Sequence, residues 1–247
     1  MPRNMIKDTI KDVVRWIRIV LLRLFCCNKR DISVPTGPII IVAPHPDDEV
    51  IGCGGLIQRL VKQGCDVHVV LMTGGEASHQ NCCDISNDRL KDVRRSLCID
   101  IDSKLGVDKN HIHTLDYPDG GILTEHKETE RLQTLIREFK PNTVFVPHWG
   151  EGWPDHVNTR QIIRNIANQG TTIYEYCVWM WYYNVWRLDW KSARVFRITK
   201  KEHEKKLKAI GDYITPLAPC GNPWSGVLPA VFLHATKWNK ELYFVCK

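Results

Sequence analysis

Ile39-Ile40-Ile41-Val42-Ala43 is an apolar run of strand length, and it stops abruptly at Pro44-His45-Pro46-Asp47-Asp48-Glu49. A helix-like segment, Val50 to Gly64, follows at once. An imidazole and three carboxylates at the exit of a buried strand are costly unless a ligand or metal needs them there. In open α/β sheets the carboxyl ends of the strands are where ligands bind. This stretch therefore points to an α/β sheet with a site at its strand exits. His45 and Asp48 offer a nitrogen and an oxygen donor three residues apart, a combination suited to a zinc-like ion. Asp47 points elsewhere and is free to act as a base. Acids at a helix start also suit the helix dipole, so the run needs a second element before it defines a site.

The rest of the chain repeats the pattern. Strand-like runs near residues 38–44, 66–73, 111–116, 142–147 and 171–179 alternate with helix-like segments near 50–63, 87–99, 127–139 and 155–168. Such alternation with short connections argues for a mostly parallel, doubly wound sheet. Lys201–Tyr213 reads as a further charged helix, and Ala230–Leu233 and Leu242–Val245 as late strands. At 247 residues the chain can build a substantial core without staples.

The second element is Thr143-Val144-Phe145-Val146-Pro147, which runs into His148-Trp149-Gly150-Glu151-Gly152-Trp153-Pro154-Asp155-His156. Again a buried strand ends in a loop that presents His and Asp ahead of a helix-like segment, Val157–Gln169. Catalytic zinc usually takes three protein ligands and leaves a position open for water. One imidazole from this loop completes the set begun by His45 and Asp48. His156 is favoured because Pro154-Asp155 fixes a rigid turn before it, with His148 as the rival. Asp155 is placed to orient a ring nitrogen from behind.

Ala43-Pro44-His45-Pro46-Asp47-Asp48-Glu49 resembles the PHPDDE motif of the PIG-L/LmbE-like zinc-dependent N-deacetylases, and Pro154-Asp155-His156 resembles the end of their HPDH motif. The likeness runs from about Ile39 to at least Thr159. It takes in Thr73-Gly74-Gly75-Glu76, similar to the family's TxGE turn, and Leu105-Gly106-Val107, similar to its LGV. The resemblance implies a Rossmann-like three-layer sandwich. It also implies a hydrolase that cleaves linear amides other than peptide bonds, removing N-acetyl groups from glucosamine-containing conjugates. It assigns His45, Asp48 and His156 to one Zn2+ per chain, Asp47 as general base, and Asp155 with Asp47 to the catalytic machinery. Asp119, in the turn Asp116-Tyr117-Pro118-Asp119-Gly120-Gly121, resembles the acid that the family sets against sugar hydroxyls, although Pro-Asp-Gly-Gly is turn chemistry in its own right.

One position departs from the pattern. The family's HPDH begins with a histidine, and here that position is Trp153. An indole N–H donates a hydrogen bond but cannot shuttle a proton near neutral pH. Three outcomes follow: Asp47 makes both proton transfers, His148 or Glu151 substitutes, or the protein is a catalytically weak or inactive glycan-binding relative. Trp153 is then a substrate contact. Arg89, at the start of the helix-like Arg89–Ile99, is a second contact for an anionic or polyol part of the conjugate, or else part of a solvated face with Lys91, Arg94 and Arg95.

Other chemistries fit poorly. Gly52-Cys53-Gly54-Gly55 lacks the third glycine of a dinucleotide fingerprint, since that position is Ile57. The preceding acids would repel a pyrophosphate, and the glycines better serve close packing of a helix on the sheet. The ten cysteines show no C-x-x-C spacing, which suits reduced thiols in a cytoplasmic protein. Cys82-Cys83 near His79 could gather an adventitious metal, and an ordinary loop explains them as well.

Residues 1–33 form a separate element, a basic amphipathic helix, ahead of a deacetylase-like domain over 34–247. Residues 1–30 hold eight Lys/Arg and two Asp, a net charge of +6, which equals that of the whole chain. The remainder is formally neutral, so no general affinity for nucleic acid is expected. Ile6, Ile10, Val13, Ile17, Val20 and Leu24 make a continuous helical stripe, with Lys11, Arg15 and Arg18 on the other side. The longest apolar runs, Ile19–Leu22 and Leu24–Cys27, are far short of the roughly 20 residues of a membrane span. Residues 5–25 are expected either to make a peripheral contact with an anionic membrane or to bury the stripe on the protein's own sheet or a second subunit of a homo-oligomer. The aromatics from Tyr174 to Trp186 read as a strand whose rings serve the core, an interface or a sugar platform.

Overall fold

The computed structural model describes residues 2–79, 84–183 and 188–246, with side chains from Thr9 onward. Cys82-Cys83, Trp186 and the Ile6 side chain therefore lie outside the described residues. Seven strands form one sheet: β1 (Ile39–Ala43), β2 (Val67–Leu71), β3 (Ile112–Thr114), β4 (Thr143–Pro147), β5 (Thr172–Tyr176), β6 (Ala193–Arg197) and β7 (Lys240–Val245). Their order is β3-β2-β1-β4-β5-β7-β6. The first five run parallel, and β7 lies antiparallel to both β5 and β6.

Alternation along the central strands assigns the two faces. Ile39, Ile41, Ala43 and Phe145 pack against α2 (Asp48–Lys62), α3 (Asn87–Leu105) and α6 (Lys200–Ile214). Ile40, Val42, Val144 and Val146 meet α4 (Glu128–Phe139) and α5 (Pro154–Ile166) through Leu132, Ile136, Ile162 and Ile163. This is the expected three-layer α/β arrangement. The chain winds outward from β1 to β3, then returns to the middle and continues from β4 to β5. The reversal lies between β1 and β4, and a crevice at such a switch point, outside the carboxyl ends of the strands, is where doubly wound sheets bind ligands. Both sequence motifs leave strands that border it.

The glycines of α2 allow the close packing expected of them. A Cβ on Gly52 would lie 2.2 Å from the Tyr176 ring, and one on Gly55 2.3 Å from Ile198. The same helix is tied down by a buried ion pair, Lys206 Nζ to Glu241 Oε1 at 2.6 Å. Lys206 also donates to the Ile51 carbonyl, and Glu241 accepts the Gly55 and Leu56 N–H groups, so both buried charges are compensated.

Two expectations need correction, and one strand had gone unread. Ala230–Leu233 is not a strand but the start of α7 (Ala230–Thr236), with Pro229 before it. Its buried residues, Val231, Phe232, Ala235 and Thr236, follow a helical spacing that the short apolar run concealed. The strand expected over 171–179 ends at Tyr176, because the Glu151 carboxylate accepts the successive N–H groups of Val178, Trp179 and Met180 and folds them into a 3-10 turn, Trp179–Trp181. The edge strand β6, with Arg at two of its five positions, lacked a sequence signal and was not anticipated.

The N-terminal helix α1 (Pro2–Cys26) lies against α7 and the 3-10 turn. Among the described residues no helix is long and apolar enough to cross a membrane. None of the described cysteines is in a disulfide.

Candidate active site

Pro44 and Pro46 have no N–H to donate, so the ladder of β1 ends and the chain turns before α2 begins. Asp47 caps that helix with φ 111°, a left-handed conformation that a non-glycine residue adopts only under constraint. The turn directs His45, Asp47 and Asp48 into a cavity of about 380 Å³ that Asp119, Trp153 and Asp155 also line. Across the switch point, Pro154 occupies the first turn of α5, a position its fixed φ favours, and places Asp155 and His156 at the helix start.

His45, Asp48 and His156 meet here. Asp48 Oδ2 lies 3.2 Å from His45 Nδ1 and 3.2 Å from His156 Nε2. Donors about 3.3 Å apart are what tetrahedral zinc with bonds of about 2.0–2.1 Å requires. His156 is fully buried, and neither ring nitrogen makes a hydrogen bond of good geometry, although each faces a carboxylate. Five carboxylates, those of Asp47, Asp48, Asp119, Glu151 and Asp155, crowd two imidazoles and one guanidinium. Burial opposes ionisation of Asp48, yet His156 and His45 outweigh it and hold that carboxyl well below the usual range. Burial likewise opposes charge on His156, but Asp48 and Glu151 push the imidazole up to about 9. A buried imidazole without a well-formed hydrogen bond, in an excess of negative charge, suits a divalent cation, and these residues fit one.

A second donor set shares His45. Its Nε2 lies 3.1 Å from Asp119 Oδ1 and 3.2 Å from Asp155 Oδ2. Those carboxylates already accept backbone N–H groups, Asp155 from Gly120 and Ile122, and Asp119 from Ala77. They act as braces for the His45 ring. Asp155 thus meets a ring nitrogen, that of His45 and not of its neighbour His156. The partner behind His156 is Glu151, 3.4 Å from Nδ1.

Asp47 is buried beside the donor set. Burial, then repulsion from Asp48, raises its carboxyl well above the usual range, while Arg94 pulls the other way. The Arg94 guanidinium donates to the carbonyls of Gly75 and Pro46, joining the turns after β1 and β2. Glu49 faces away from the cavity, accepts the Tyr213 O–H and is pushed up to about 7 by burial.

The remaining sequence candidates divide. Asp119 and Trp153 line the cavity. Arg89 does not: it is exposed at the start of α3, with its backbone N–H capped by Ser86. The arginine that lines the cavity is Arg94, which the sequence reading left on the solvated face. A signal for it existed, since Arg94 falls in line with the buried Leu90, Cys98, Ile101 and Leu105. Trp179 and Phe232, stacked at 4.3 Å between ring centroids, form an aromatic wall; Trp179 belongs to the aromatic run for which a sugar platform was one reading, whereas sequence did not single out Phe232. His148 is buried away from the cavity, where its Nδ1 accepts the Gly150 N–H.

Fold and site together define a Rossmann-like α/β protein with a candidate metal centre at its topological switch point. The family described as PIG-L, GlcNAc-PI de-N-acetylase, matches residues 40–167, more than half of the chain, and the protein belongs to that family. A diacetylchitobiose deacetylase of Thermococcus kodakarensis is 34% identical over 125 residues, 48% of this chain and 44% of that protein. A 1D-myo-inositol 2-acetamido-2-deoxy-alpha-D-glucopyranoside deacetylase of Corynebacterium diphtheriae is 27% identical over 155 residues, 52% of this chain and 51% of that protein. The chain thus spans about half the length of the curated relatives it matches. The solved structure of N,N'-diacetylchitobiose deacetylase from Pyrococcus horikoshii aligns with a TM-score of 0.58 at 25% identity, covering 71% of this chain and 68% of that one.

Proposed function

We propose that the protein is a metal-dependent hydrolase that removes the N-acetyl group from an N-acetylglucosamine-type sugar conjugate. The observation that carries this reading is the meeting of His45 Nδ1, Asp48 Oδ2 and His156 Nε2 beside a buried carboxylate that is not part of the set, Asp47. The two curated relatives are named for substrates that share an acetamido sugar, which supports the substrate class. The unit that acts comprises residues 34–247, with 1–33 as a separate amphipathic element.

His45, Asp48 and His156 would hold the ion, for which Zn2+ suits the mixed N/O donors. When bound, it supplies acidification of water to a pKa of about 7 and polarisation of an amide carbonyl. Asp47 is the general base. Its burial beside Asp48 strengthens its hold on a proton, so it can take one from the attacking water and deliver it to the leaving amine. Asp155 and Asp119 fix the His45 ring, and Glu151 stands behind His156. Trp153 and the Trp179–Phe232 wall offer apolar faces to a sugar ring.

Trp153 cannot supply a proton, and neither replacement is available: His148 is buried elsewhere, and Glu151 is fully occupied behind His156. Asp47 therefore makes both transfers. The same tryptophan favours one alternative, a glycan-binding relative that retains the site without turnover.

Metal content and acetate release from a panel of N-acetylglucosamine conjugates separate the two, with Asp47→Asn as control. About one zinc per chain and acetate from wild type alone would establish the hydrolase. Zinc and glycan binding with no acetate would establish the binding protein, and a chain that takes up no metal would refute the site.

A further inference from the structure

We propose that the outward face of α1 is a docking surface for an anionic lipid bilayer. The helix is turned the opposite way from an ordinary surface helix. Its described arginines face the protein: Arg18 donates to the Trp181 carbonyl at 2.7 Å, and Arg23 to those of His234 and Ala235 at 2.8 and 2.9 Å. The Arg15 guanidinium lies 3.9 Å above the Tyr182 ring. Ile19, Leu22 and Cys26 bury among Met180, Trp181, Val231 and Ala235. The opposite face is apolar and open. Ile10, Val13, Val14, Ile17, Leu21 and Leu24, spaced as one helical stripe, are each 47–64% exposed. Of the stripe read from sequence, Ile10, Val13, Ile17 and Leu24 therefore do not pack on the protein's own sheet, while Val20 is partly buried.

A continuous apolar face of this kind on a soluble domain marks an interaction surface. Its flanks resemble a membrane interface. Trp16 and Phe25 border the stripe half-exposed, and the Lys29 ammonium lies 4.3 Å above the Phe25 ring. An apolar cavity of about 290 Å³ opens between Leu21, Leu22, Phe25 and Trp190, room for an inserted hydrocarbon segment.

Charge selects the occupant. Residues 1–30 carry a net +6 and the other 217 residues are formally neutral; with Arg15, Arg18 and Arg23 turned inward, the at least partly exposed cations among the described side chains of this segment are Lys11, Lys29 and Arg30. Pairing this helix with a second copy would set two such segments side by side. An anionic headgroup layer complements the charge, while the stripe buries in the acyl boundary. The geometry is that of a helix lying in the interface plane, since no described helix can span a bilayer. The inner side of α1 supports Tyr182, Trp179 and α7, and Trp179 and Phe232 wall the candidate active site. Docking therefore acts on the helix that backs one wall of the cavity through Tyr182.

The test is sedimentation of the full chain with vesicles of phosphatidylcholine, with or without phosphatidylglycerol, at low and high salt. The expected result is affinity at least about tenfold higher for the anionic vesicles, lost at high salt. The double variant Ile17→Glu, Leu21→Glu changes two exposed side chains, so it should keep the circular dichroism and melting temperature of wild type while losing at least about tenfold in vesicle affinity. Three outcomes would overturn the proposal: no sedimentation with either vesicle, binding that ignores both lipid charge and the double variant, or a concentration-dependent dimer that the double variant dissolves without any vesicle binding. The readout needs no turnover, so failure of the hydrolase reading would leave it intact.

Discussion

Arg94 Nη2 stands 3.7 Å from Asp47 Oδ2, while the same guanidinium is anchored on the carbonyls of Gly75 and Pro46. A rigid cation therefore faces the proposed base from a helix for which sequence left open either a substrate contact at Arg89 or a solvated face with Lys91, Arg94 and Arg95. Arg94 opposes the upward push that burial and Asp48 exert on the Asp47 carboxyl. Without Arg94, the carboxyl protonates at a higher pH, and less of the base form remains at any given pH. Arg94→Gln should therefore move the acidic limb of the kcat/KM profile upward and lower its plateau about tenfold to a hundredfold. A limb that stays in place or moves down would show that Arg94 serves the fold alone.

Glu151 behind His156 leads to a prediction about metal affinity. A carboxylate against the outer nitrogen of a ligating imidazole fixes the ring and raises its basicity. Glu151→Gln should weaken zinc binding about 10- to 100-fold in a chelator competition. It should also destabilise the fold by about 1–3 kcal/mol, because an amide serves the N–H groups of Val178, Trp179 and Met180 less well. Unchanged zinc affinity would leave Glu151 only the task of shaping the 3-10 turn.

Gly52 should resist the replacement that helix propensity recommends. Alanine in a helix interior is worth about 1 kcal/mol over glycine. Here its Cβ would lie 2.2 Å from the ring of Tyr176, which is buried and donates to the Val42 carbonyl. Overpacking of this kind costs about 1–3 kcal/mol, and the clash should win. Denaturant unfolding of Gly52→Ala should give a lower midpoint than wild type; a higher one would mean that α2 moves away from the sheet without cost.

The buried His148 should make the fold sensitive to acid. Burial, reinforced by Arg160, lowers its pKa to about 3, against about 6.5 in an unfolded chain. Between those values the unfolded state binds a proton that the fold excludes, so this residue's contribution to stability falls as pH drops from about 6.5 towards 3. His148→Asn keeps an acceptor for the Gly150 N–H and removes the titration. Its stability relative to wild type should therefore improve steadily as pH falls through that window. Two parallel stability curves would contradict the assignment.

What the sequence made legible follows from where the information lies. The proposed donor set and base sit within two short segments, each a buried strand followed by its loop, so local pattern brought His45, Asp47, Asp48 and Asp155 forward, and the Pro154-Asp155 turn together with the motif resemblance chose His156 over its rival His148. Arg94 was hidden because a single arginine in a charged helix looks solvated until the apolar residues four before and four after it are recognised as its register. Trp179 and Phe232 meet across more than fifty residues, and no local pattern reports such a contact. The stripe on α1 was readable, but its direction was not. Which side of an amphipathic helix faces the body depends on the carbonyls of Trp181, His234 and Ala235 that receive the arginines, and these lie far away in the chain.

The family match ends at residue 167, yet Val178, Trp179, Ser225, Gly226 and Phe232 furnish one wall of the cavity. The proposed metal donors and base and this one wall of the cavity are thus encoded on separate stretches of the gene. Mutation can rewrite the later stretch while the floor built by His45, Asp48 and His156 stays as it is. A lineage built this way can reshape one side of its pocket without disturbing the donor set at the strand exits.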